Sequence, residues 1–101
     1  MVAHIVMWNF KDSIREEEKA QLKQDMKLHL EALVGKVPGL LELKFVENPL
    51  KTSTHEICLV SKLEEEKDIK VYGSHPEHVA VADRYVRPYT CDRACLDYVL
   101  N

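Results

Sequence analysis

Between Tyr72 and Asp83 the chain reads YGSHPEHVAVAD, which places a phenol and two imidazoles, Tyr72, His75 and His78, within seven residues. Imidazole titrates near about pH 6.5, so at neutral pH it serves as a base, a hydrogen-bonding group or a metal ligand. A tyrosine hydroxyl stays protonated there and donates a hydrogen bond. The same residues also read as an ordinary helix start, because proline is favoured in the first helical position and His75 stands just ahead of it. Proton transfer, metal binding and local structure therefore compete for one motif.

Metal binding is the weakest of the three. His75 and His78, with His4 as a third imidazole, would suit zinc, copper or nickel, but a catalytic zinc wants three converging protein ligands. A helix that begins at Pro76 turns His75 away from the sheet while His78 faces it, so no metal is expected. Cys58, Cys91 and Cys95 make an odd count without a CxxC pair. That pattern fits neither a disulfide framework nor a zinc finger, and points to the reducing cytoplasm.

The elements that must position these groups follow from patterning. VAHIVMWNF (Val2–Phe10) is β-branched and aromatic and reads as a strand, with His4, Val6 and Trp8 on one face and Ala3, Ile5 and Met7 on the other. Both faces are apolar, so both need cover. A long amphipathic helix follows, with Ser13 and Glu16 spaced as a capping box and Leu22, Met26, Leu30, Leu33, Val34 and Val37 forming its stripe. Gly35 and Pro38-Gly39 stop it. LLELKFVE (Leu40–Glu47) and HEICLVSKL (His55–Leu63) read as the second and third strands. EEEKDIKVYGS and PEHVAVADRYVRPY read as two short helices, and CDRACLDYVL (Cys91–Leu100) as a closing strand.

The order β-α-β-β-α-β is the ferredoxin-like α+β plan, a four-stranded antiparallel sheet with helices on one face. The chain has 101 residues, 46% of them hydrophobic, which is one domain over 1–101 with a modest core. One sheet face stays apolar and uncovered, a patch improbable on a monomer. A second copy is the natural cover, its sheet closing a barrel against the first with a cavity at each end. A net charge of −3 without a basic stripe argues against nucleic acid. No apolar run is long enough to span a bilayer, and the N-terminus lacks a signal-peptide pattern.

HIVMWNFKD, VPGLLELKFVEN, the run from Ile57 through YGSHPEHV to Pro88, and the closing LDY resemble the stress-responsive A/B barrel domain (Dabb) family of dimeric α+β barrels. Its most specific element is Tyr72-x-x-His75-Pro76-x-His78-Val79. The resemblance implies a homodimer and a small, partly apolar, oxygen-bearing ligand in a cavity lined by His4, Val6, Trp8, Ile57, Leu59, Tyr72 and His78, with His75 also at the pocket. A polyketide cyclase of the family performs an aldol condensation without a cofactor. Its histidine and tyrosine fall on His78 and Tyr72, its orienting aspartate on Asp97 and its first-strand histidine on His4. Its third-strand histidine falls on Ile57, which cannot hydrogen-bond an oxygen, and His55 lies two residues earlier. In that reading His78 is the base, Tyr72 donates to a developing enolate, and Asp97 pairs with His78 and raises its pKa. The structural alternative makes His75 a cap and His78 a fold residue. Related α+β barrels also include cofactor-free monooxygenases, for which no residue here argues specifically.

Overall fold

Val2–Phe10 forms β1 and Glu16–Glu31 forms α1. Leu40–Val46 is β2, Ile57–Leu63 β3, Lys67–Ser74 α2, Pro76–Val81 α3 and Thr90–Val99 β4, with one π-helical turn over Ala82–Val86. The computed structural model describes the whole chain, Met1–Asn101. The sheet is antiparallel throughout in the order β2-β3-β1-β4, the ferredoxin-like arrangement expected from the element order.

The helices cover one face. Val6, Phe45, Leu59 and Leu63 from the strands pack there against Met26, Leu30 and Tyr72 from the helices. Alternation then leaves Ile5, Met7, Cys58, Val60, Leu96 and Tyr98 on the other side, as the cross-strand pairs Ile5–Val60, Met7–Cys58 and Ile5–Leu96 require. Val60, Leu96 and Tyr98 remain 37%, 59% and 46% exposed. The sheet is open, and that face has no cover within the chain.

This corrects the placement of the cavity. His4, Val6, Trp8 and Leu59 face the helices of their own chain, not a second sheet. Alternation separates two faces of a strand but does not say which one the helices take.

Two local details also differ. The N-cap of α1 is Arg15, whose backbone N–H donates to the Glu18 carboxylate, so the box expected at Ser13 and Glu16 lies two residues further on. The helix ends at Glu31, and Leu33 and Val37 reach the core from the turns that follow, with Gly35 in the left-handed region at φ 92°. Gly39 sits at φ 83°, where a side chain is strained, and a Cβ there would lie 2.4 Å from the Asp68 carboxyl carbon and displace it. That close approach ties the start of β2 to α2, the helix that carries Tyr72.

Candidate functional site

Tyr72 enters the interior because α2 lays Ile69 and Tyr72, three residues apart, on its sheet-facing side. The chain then breaks at His75, whose extended backbone and side chain cap α3 by accepting from Glu77 N–H at 3.1 Å. With Pro76 first in the helix, His78 comes back under Tyr72, and their ring centroids stand 4.2 Å apart. The His4 ring stands edge-on to Tyr72 at 6.0 Å. Two imidazoles thus adjoin one phenol.

These three rings line a pocket of about 290 Å³ between the sheet and the helices, with Val6, Trp8, Leu59 and Ile69 as apolar wall. At about 30 Å³ per water it holds roughly ten non-hydrogen atoms. The Tyr72 hydroxyl is buried and has no hydrogen-bond partner. Burial pushes its pKa well above the ordinary tyrosine value, so it remains a donor at any physiological pH. An unpaired buried hydroxyl costs about 1–3 kcal/mol, which a ligand oxygen would relieve.

His78 Nδ1 lies 3.2 Å from the Gly73 carbonyl. A carbonyl only accepts, so Nδ1 carries the proton and the lone pair resides on Nε2. Burial lowers the His78 pKa; the Gly73 carbonyl opposes that, and the nearby Arg87, His4 and Arg93 reinforce it. His78 is therefore neutral at pH 7. The expected raised value is overturned, because its carboxylate partner is elsewhere.

That carboxylate belongs to His4. The β1–β4 register sets His4 directly opposite Asp97, and His4 Nδ1–H donates to its carboxylate. Asp97 is 43% exposed at the edge of the sheet and bounds an adjoining depression rather than this pocket. Cys95 Sγ lies 3.7 Å from the same His4 nitrogen and 3.6 Å from the Asp97 carboxylate. His4, Cys95 and Asp97 form the one cluster whose donor atoms are grouped closely enough to hold a metal. His75 and His78 belong to no such cluster.

Ile57 is fully buried and does not line the pocket, and neither does His75. Two residues not anticipated do: Arg87, just after the π-turn, and Arg93 on β4. Between Ala94 and Cys91 the β4 register slips by one residue against β1, so Asp92 and Arg93 together oppose Trp8. Asp92 takes up the slip at φ 54°. Arg93 shares the odd parity of Cys95 and Asp97, a signal that was present in the sequence.

An open-faced ferredoxin-like sheet with a histidine- and tyrosine-lined pocket under its helices defines a small ferredoxin-like α+β domain. The chain belongs to the stress responsive A/B barrel domain (Dabb) family, whose model matches residues 2–100. Solved structures similar to it include a dimeric protein of unknown function from Bacteroides fragilis, 32% identical over 98% of this chain and 95% of that one, TM-score 0.88. A dimeric ferredoxin-like protein from Thermobifida fusca is 22% identical over 98% and 90%, TM-score 0.76. A hydroxynitrile lyase from Passiflora edulis is 18% identical over 99% and 93%, TM-score 0.71. Among curated proteins none matches. No helix is long and apolar enough to cross a membrane.

Proposed function

We propose that this chain is a homodimeric pocket protein that binds a small, partly apolar, oxygen-bearing molecule and moves a proton on it without a cofactor. The observation that carries the reading is the unpartnered Tyr72 hydroxyl, buried against a neutral His78 in a pocket of ligand size. His78 Nε2 takes a proton from a carbon next to a carbonyl. Tyr72 O–H donates to the enolate oxygen that forms, where a buried donor stabilises charge far better than water does. His4, held by Asp97, offers a second polar wall. A lyase on the same fold is consistent with proton chemistry in this setting.

The dimer forms through the open sheet face, since Ile5, Val60, Leu96 and Tyr98 make an apolar surface that a second copy would bury. Relatives described as dimeric support it. Sedimentation at micromolar concentration should give the mass of two chains, and Val60→Asp, which places a charge in that face, should give one.

The chemistry is tested by the exchange of the α-protons of methyl 3-oxooctanoate for deuterium, followed by NMR. The protein should accelerate it, and His78→Ala should lower the acceleration by about 10²–10⁴-fold, the usual worth of a positioned base. Binding of the ester without acceleration would leave a ligand-binding protein and remove the catalytic reading.

A further inference from the structure

Charge is distributed unevenly around the pocket. No aspartate or glutamate lines it, whereas two guanidiniums, Arg87 and Arg93, and two imidazoles do. The chain as a whole carries −3, so this is a local concentration of positive charge in an acidic protein. The neighbouring carboxylate, Asp97, already accepts from His4. Arg93 enters no ion pair at all. Arg87 pairs with Asp83 one helical turn away, both side chains more than half exposed, a bond that a competing anion exchanges at little cost. The β1–β4 register, carried one residue past the Met7–Ala94 pair, sets Arg93 beside Trp8 on the helix side of the sheet.

We propose that the pocket is selective for an organic acid, whose carboxylate lies at the mouth on Arg93 and Arg87 while its carbonyl and apolar chain reach Tyr72 and His78. This rests on the reading of the pocket as a ligand site and adds the class of ligand. Guanidinium suits the task because its planar fork matches a carboxylate in two parallel hydrogen bonds, and such charge-assisted bonds are about twice as strong as neutral ones. The geometry also divides the ligand: an anionic head near solvent, and an acceptor oxygen for the buried phenol.

The experiment compares 3-oxooctanoate with its methyl ester, the same chain with and without the charge, by NMR titration of the parent dimer. The acid should bind at least about tenfold tighter than the ester. Arg93→Met should remove most of that preference and leave ester affinity within about twofold, while Arg93→Lys should retain part of it. Both side chains are exposed, so the variants should keep the parent's spectrum away from the pocket. Equal binding of acid and ester by the parent, or a preference that survives in the Arg87→Met/Arg93→Met double variant, would overturn the inference and leave the pocket reading standing. Failure of both molecules to bind would overturn the two together.

Discussion

Two polar clusters sit on the same sheet, and they are built on opposite terms. At the β3 entrance, Glu56 accepts from Phe10 N–H at 3.2 Å and from Lys19 Nζ at 2.9 Å, and its own N–H donates to Asn9 Oδ1 at 3.0 Å. Lys19 also reaches Glu16 at 3.1 Å and lies 5.5 Å from the centre of the Phe10 ring. Burial works against the Glu56 charge, but Lys19 and the Phe10 N–H outweigh it and hold the carboxyl below the ordinary glutamate range. The Glu56, Lys19 and Asn9 side chains all have partners inside the chain. At the Tyr72 pocket the phenol has none, and the cations outnumber the anions. A satisfied cluster stabilises the fold, and an unsatisfied one is kept for something that arrives from outside.

The contrast predicts that substitutions divide cleanly between stability and activity. Glu56→Ala should have the largest effect on the fold. It removes the acceptor of the Phe10 N–H and leaves Lys19 with Glu16 alone, costing about 1–2 kcal/mol and lowering Tm by about 5–10 °C in calorimetry, while exchange per folded molecule stays within about twofold. A large loss of exchange in that variant would break the division.

The pH dependence is a smaller effect. A histidine whose folded pKa lies below its unfolded value must lose its proton to fold. Stability from this source is complete above about pH 6.5 and declines as pH falls through the depressed folded value. Proton exchange should follow the same neutral imidazole, rising with pH and reaching its plateau below about 6.5. A plateau well above neutrality would mean that His78 is charged at pH 7.

Smaller still is a pair of NMR titrations that separates the two ends of the pocket. Asp97→Asn should leave the His78 titration where it is, because that carboxylate serves His4. Arg93→Met should raise the His78 pKa, because it removes one of the positive charges that depress it. A fall on losing Asp97 would restore the carboxylate to His78.

Much of this is legible in the sequence itself. The strand and helix order, the apolar character of both faces of β1, and the cap at His75 followed from patterning and from proline chemistry. The partner of Asp97 required the register: His4 and Asp97 are opposed only once β1 and β4 are adjacent and aligned, and local sequence does not encode that alignment. The helix-covered face was undecided for the same reason, since a strand apolar on both sides offers no preference. Arg93 was hidden by its own polarity. A charged residue near a strand end reads as solvated, although its parity with Cys95 and Asp97 already places it on the pocket face.

The central claim is that the Tyr72 hydroxyl is held for a ligand and contributes nothing to the fold. Tyr72→Phe tests it most directly, with thermal unfolding and deuterium exchange measured on the same sample. The account predicts a Tm equal to or above the parent's, because no intramolecular hydrogen bond is lost, together with a fall in exchange of about 10²-fold, as for a lost oxyanion donor. A lower Tm with exchange unchanged would contradict it.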